Sequence, residues 1–448
     1  MATKPWIGAL VAPTNSTFRC NEEPAVNPNP PDRQLTLQFI NGFHVEDVRQ
    51  NIYWGSKPNS LIYPAAAVGV NMDVTTLKQR FMGAGDITSV KGHTDDIMAL
   101  GVSPDRKWVI TGSLGAQPDI ILWSGETMEI KNRTKLGRNT RAVSTIRFSK
   151  DGKYIFCSDK HNDSNVYCFD TESLKPRGSE KCGSDVVIDA ETGSNNRFAC
   201  ATKSGVWFFQ YVEGQGMSKS RGIFGNNPRS AMSAITFNST DNSFLSGSID
   251  GFIFTWDGTS CSKVRKTHDG SVMAIHWVDG ITYSSGSQDR SLKLSDSTGV
   301  VIKTYELPTY AKSIDALNKK IVVGTKCGRV ITIDGDNERG GMRGHWTGES
   351  WGVAVASDGM VYTSGDDNTI LAFNPKTCRV EREGTINATP GKKYKIGGAS
   401  TLSLLPPNQQ ARGLAVSKAG HLAIGLNDGG LSIRTTTVHT LLMAGSQL

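Results

Sequence analysis

The sequence predicts an all-β chain: a seven-bladed β-propeller, a closed ring of four-stranded sheets, with a further partial sheet beside it. Three observations carry this. From about residue 92 the chain repeats itself every ~35–47 residues, the period range of a propeller blade. Within each repeat apolar and polar residues alternate with period 2 and turn residues recur at regular spacing, while helical periodicity is nearly absent. Glycine supplies 48 of the 448 residues, which fits many tight turns better than long helices.

In chain order, residues 1–34 carry Pro5, Pro13, Pro24, Pro28, Pro30 and Pro31 and no strand-length periodicity, so they read as an extended arm. Residues 35–79 hold three strands and a polar turn, Lys57-Pro58-Asn59-Ser60, beside the apolar run Leu61–Val70 (LIYPAAAVGV). Alone, that is an incomplete blade. Seven repeats fill 80–387, starting near Gly92-His93, Arg141, Asp185, Arg229, His268, Tyr310 and Gly344-His345. In the first, IMALGVS leads through a Pro-Asp turn to WVITGS and then IILW. Seven copies suffice to close a ring. Residues 388–448 form a linker with Pro390, Gly391 and Pro406-Pro407, then strand-like segments in 412–435. The run Leu61–Val70 is too apolar to lie exposed. Its strands are therefore expected to pair with those of 412–435 in the partial sheet.

Composition narrows the function classes. Charged residues make up 20% and the net charge is +7, enough to favour an acidic partner surface but short of a nucleic-acid-binding signature. Eight scattered cysteines show no metal-ligand spacing and no compact disulfide framework. No stretch approaches a membrane span, and MATKPWIGALVAP lacks a convincing cleavage region. The expectation is a soluble protein of a reducing compartment with no cofactor, metal, membrane or nucleic-acid partner.

The repeats have a polar logic of their own. In a WD repeat, a His near the start, a Ser or Thr in the second strand, an Asp in the following turn and a Trp in the third strand form one buried hydrogen-bonded chain. Candidates are His93; Asp250, six residues before Trp256; His268 and Asp289, with Ser295 where Trp would stand; and His345 and Asp367, with Phe373 as the aromatic. His, Ser and Asp recurring blade after blade indicate structure rather than a catalytic triad, so no enzyme is expected. Nor is a carboxylate or His cluster legible that would line the central channel. The glycine strings Gly214/Gly216 and Gly340/Gly341/Gly344 lack the strand-to-helix context of a phosphate loop.

The stretch LTLQFINGFHVEDVRQNIYWGSKP is more particular than a generic blade. Leu35, Leu37, Phe39, Ile40, Gly42, Phe43, Asp47, Arg49, Asn51 and Tyr53 resemble the HELP motif of the EMAP-like (echinoderm microtubule-associated-protein-like) family. The segments AVSTIRFSKDGKYIFCSDKHNDSNVYCFD, ATKSGVWFF, LPTYAKSIDALNKKIVVGT and GHWTGESWGVAV look like that family's first propeller. Two departures stand out. The family usually carries tandem propellers, whereas only 412–435 here resembles the start of a second, and the arm has no heptads for a coiled coil.

The resemblance implies a structural scaffold in the cytoplasmic cytoskeleton, bound to tubulin and neighbouring axonemal proteins of a cilium or flagellum. The rival is a soluble WD-repeat adaptor in a non-microtubule complex. Basic residues alternate on fourth strands at Lys131, Arg133 and Lys135, and at Lys263 and Arg265, with Arg379, Arg382, Lys392, Lys393 and Lys395 further on. Period-2 spacing puts each alternating set on one strand face. That face either protects an edge from sheet-to-sheet pairing or forms a basic rim toward acidic tubulin.

Overall fold

The computed structural model describes Asn29 and residues 36–83, 92–137, 140–161, 164–183, 185–385, 400–402, 410–427 and 431–435. The chain divides into two units, Met1–Gln38 and Phe39–Leu448, and every described strand lies in the second. The proline-rich arm, the linker centred on Pro390–Pro407 and Lys392, Lys393 and Lys395 fall almost wholly outside the described residues.

Among the described residues all regular structure is β. Seven four-stranded antiparallel sheets follow one another at 53–82, 97–135, 143–181, 187–221, 232–266, 272–306 and 311–343, here blades 1 to 7. Each is built from strands adjacent in sequence, as short turns dictate. Blade 5 shows how. Ser243–Ser248 is buried along its whole length because neighbouring sheets cover both faces, so its residues need not alternate. The tight turns before and after it use residues with positive φ, Asn242 and Gly251. The fourth strands are edges and do alternate: in Ile130–Lys135 every second residue is exposed.

Contiguous apolar cores join each blade to the next, and the ring is closed by blade 1. Its Ile62 and Met82 pack with Ile97, Leu100, Ile121 and Trp123 of blade 2. On its other side Leu61, Tyr63 and Val70 pack with Val322, Val330 and Met342 of blade 7. Gly69 permits the first approach, since a Cβ there would sit 2.7 Å from the Trp123 ring.

This corrects the expected partition. The HELP strands do not pair with 412–435. They form a complete sheet, Tyr53–Trp54, Ser60–Ala65, Val68–Asp73 and Gln79–Met82, in the ring position expected for the repeat at 345–387. The reason lies in Leu61, Ile62 and Tyr63, three consecutive residues with no exposed surface. Consecutive apolar residues point to opposite faces and need cover on both, which a place inside a ring provides. The repeat at 345–387 instead starts a separate sheet 8 (350–402), whose Tyr362 and Ile370 pack on Ala411, Leu422 and Ile424 of the three-stranded sheet 9 (411–435).

Candidate functional site

The HELP motif reaches further than its own blade. His44–Trp54 meets the N-terminal ends of the first, innermost strands of four blades. His44 Nδ1 lies 3.0 Å from the Ile97 carbonyl, and Val48 packs on Met98 and Ala142. Arg49 donates to the Met273 carbonyl. Gln50 behaves as a substitute strand residue: its backbone N donates to Lys312 O, its side-chain amide donates to Ile314 O at 2.7 Å, and Ile314 N donates back at 2.8 Å. Asn51 N and Ile52 N both donate to Ser313 Oγ. Lys312 Nζ returns to the Val45 and Glu46 carbonyls, and burial first, then Arg49 and Lys326, push its pKa down to about 8.

The remaining motif residues fix the segment. Gly42 has φ +114 and sits against Gly344 and the His345 carbonyl. Phe43 is buried with Ile52 in the core shared with blade 7. Asp47 accepts from His44 Nε2 at 2.7 Å and Lys160 Nζ at 3.0 Å, and the hydrogen bond from His44 holds its carboxyl well below the usual range. Asn51 Nδ2 donates to the His44 carbonyl, and Tyr53 Oη to that of Gln50. The motif residues therefore serve the closure of the ring.

Below this segment lies a buried charged network that the sequence did not reveal. Asp315 accepts Arg106 Nη1 at 2.6 Å and Nη2 at 3.1 Å and the Trp54 backbone N at 2.8 Å, with His276 Nε2 3.4 Å away. Burial alone would lower the Arg106 pKa, but Asp315 more than offsets it. Arg147 pairs with Asp189 at 3.4 Å and Lys150 with Glu191 at 3.1 Å. Asp189 also accepts the Ile235 N, and burial raises its pKa despite Arg147. The structure thus brings carboxylates beside Arg106, Arg147 and His276, while among the described residues no three or more His, Cys, Asp or Glu side chains are grouped so as to hold a metal ion. Each blade contributes only one or two members, spaced a repeat apart, so no local motif marks them. Most of their charge is matched by ion pairs and backbone groups, which suits a structural network.

The repeated polar residues are only partly as expected. His268 lies 2.8 Å from both Asp289 Oδ2 and Ser284 Oγ. His345 lies 2.9 Å from both Asp367 Oδ1 and Thr363 Oγ1. His93 meets Thr111 Oγ1 at 2.8 Å, and Trp123 Nε1 donates to the same hydroxyl. Among the described residues the His93 Nδ1 has no hydrogen-bond partner, and Gln117 stands where the Asp would be. Trp256 Nε1 donates to Ser246 Oγ at 2.8 Å. Asp250 departs from expectation: it is an exposed turn residue whose carboxylate accepts a 2.6 Å bond from Ser230 Oγ and whose backbone carbonyl accepts Lys266 Nζ, because blade 5 brings no His to it.

Of the basic residues, Lys131, Arg133, Lys135 and Lys263 are exposed on fourth strands. Lys131 Nζ lies 4.7 Å over the Trp108 ring, and Arg133 donates to Gly92 O. Arg265 is half-buried against Gly299 of blade 6. The two sets belong to blades 2 and 5, three positions apart in the ring, so they form no continuous patch.

Comparison with known proteins matches the profile described as "Echinoderm microtubule-associated protein first beta-propeller" over residues 90–333, and the HELP motif over 30–70. The "Ciliary WD repeat-containing protein ctxp80" of Euplotoides octocarinatus is 29% identical over 97% of this chain and 61% of its own length. "Echinoderm microtubule-associated protein-like 1" of Homo sapiens is 27% identical over 75% of this chain and 43% of its own. The chain thus spans less than two thirds of these relatives. The crystal structure of RRP9 WD40 repeats superposes with a TM-score of 0.50 at 11% identity, over 62% of this chain and 87% of that one, a likeness of fold alone.

Proposed function

Since the chain belongs to the EMAP-like family, we propose that it is a non-catalytic scaffold that docks on microtubules through tubulin and neighbouring proteins, in the axoneme of a cilium or flagellum. The observation that carries this reading is the HELP motif built into a closed ring of the family's first-propeller type. The relatives' names, one ciliary and others microtubule-associated, support the setting. The charged network at the ring's centre supports rigidity rather than turnover, since its members are held by each other.

The basic blade edges are the proposed contact with acidic tubulin. Each exposed lysine contributes little alone, and the sum is salt-sensitive. Co-sedimentation with microtubules at low salt is the test. The chain should pellet with polymer, and the double variant Lys131→Glu, Lys135→Glu should pellet less while melting at the same temperature. An unaltered variant would remove the blade 2 edge from the contact. Failure of the unmodified chain to pellet would favour the adaptor reading.

A further inference from the structure

His44 opens the segment that closes the ring, and it connects three blades. Its backbone N donates to the Pro64 carbonyl of blade 1 at 3.1 Å. Its Nδ1 lies 3.0 Å from the carbonyl of Ile97, the first residue of the innermost strand of blade 2. Its Nε2 lies 2.7 Å from Asp47 Oδ1, and the second oxygen of Asp47 takes Lys160 Nζ, just past the second strand of blade 3.

Both ring nitrogens face groups that can only accept. A carbonyl oxygen has no proton to give, and neither has the Asp47 carboxylate, which His44 and Lys160 hold ionised. Only the imidazolium, with an N–H on each nitrogen, satisfies both contacts. A neutral ring sets a lone pair against one of the two oxygens. The charges facing His44 favour the imidazolium: Asp47 on its own segment, with Lys160 behind it, and Asp96 just before the strand of blade 2. Burial by itself would lower the His44 pKa, but Asp47, the Ile97 carbonyl and Asp96 together raise it above 6.5.

We propose that His44 is a pH-sensitive latch of the ring closure, fastened as the imidazolium and released when the ring loses its proton. On release the contact to Asp47 gives way, since that side chain is 45% exposed while the Ile97 carbonyl is fixed in its strand. Asp47 and Lys160 are then left as an exposed ion pair, which contributes little. Residues 44–48 loosen over blades 2 and 3, while Gln50, Asn51 and Ile52 keep the segment anchored on blade 7. The folded pKa lies above the unfolded one, so the latch is fully fastened below pH 6.5 and is lost as pH rises through the folded value. That sign is the reverse of a buried neutral histidine such as His93. The latch does not rest on the microtubule reading.

Two measurements on the full chain test it. The His44 imidazole resonance, identified as the one absent from His44→Gln, should titrate with a midpoint above 6.5. That midpoint should fall in Asp47→Asn, since the amide carries no charge. Hydrogen exchange of residues 44–48, corrected for the intrinsic effect of pH, should show protection falling as pH rises through the midpoint. The fall should be about tenfold for each unit by which the midpoint exceeds that of an unfolded histidine. In His44→Gln the corrected protection should not change over this range. If His44→Gln does not fold, the Asp47→Asn shift both identifies the resonance and carries the test. Any of three results would overturn the latch: a midpoint at or below 6.5, a midpoint indifferent to Asp47→Asn, or protection that falls with pH in His44→Gln as it does in the unmodified chain.

Discussion

At the scale of single residues, the chain separates polar groups that hold the ring from those that decorate it. Asp315 joins blades 1, 2 and 7 and lies beside His276 of blade 6, and its side chain is 1% exposed. Asp315→Ala should cost about 3 kcal/mol or more in urea unfolding, because it leaves the Arg106 guanidinium without its buried partner. Asp250→Ala should change stability by no more than about 0.5 kcal/mol, since that carboxylate is exposed. Equal costs for the two would contradict the assignment. His93 adds a pH dependence. Burial first, and then Arg133, lower its pKa from 6.5 to about 3. The unfolded chain gains this proton below pH 6.5 and the folded chain does not until about pH 3. The stability is thus present above pH 6.5 and is lost progressively as pH falls toward 3. Burial lowers the pKa of His268 and His276 as well, so the effect is a sum. His93→Gln should make the urea midpoint less sensitive between neutral and mildly acid pH. An identical pH profile would show that His93 titrates freely.

At the scale of elements, the HELP blade shows what one sequence reveals and what it conceals. Its strands were legible from the Lys57–Ser60 turn and the run Leu61–Val70, and its motif from Gly42 to Tyr53. Its place was not legible, because the pairing of far-apart segments leaves no local trace. One signal was available: three consecutive apolar residues, Leu61 to Tyr63, fully buried in the structure, fit a strand covered on both faces better than one in a partial sheet. The charged network was hidden for a related reason. Arg147, Asp189, His276 and Asp315 each look like a stray polar residue in a largely apolar strand, and Arg106 like one more charge of the polar turn Pro104–Lys107, until the ring brings them together. The contact between blades 1 and 2 can be probed directly. Gly69→Val should lower stability by about 1–3 kcal/mol through its clash with Trp123. The companion Trp123→Leu should recover part of that loss by making room, to a degree that a double-mutant cycle measures. Additive losses would mean that the two blades do not meet there.

At the scale of the whole molecule, a propeller holds together because every blade has two neighbours, and an opening in the ring exposes two apolar faces at once. Repeat counting placed the ring at 80–387, which would leave the HELP blade outside. The packing places it at 53–343, with sheets 8 and 9 packed on each other. Both assignments count seven blades, and the two are distinguished by which end of the chain the ring can lose. The decisive measurement is urea unfolding of two truncated chains, residues 36–343 and residues 84–402, followed by tryptophan fluorescence. The account predicts that 36–343 unfolds in one cooperative transition while 84–402, deprived of blade 1 and the segment His44–Trp54, aggregates or unfolds without cooperativity. A cooperative 84–402 beside a non-cooperative 36–343 would contradict it and return the HELP strands to a place outside the ring.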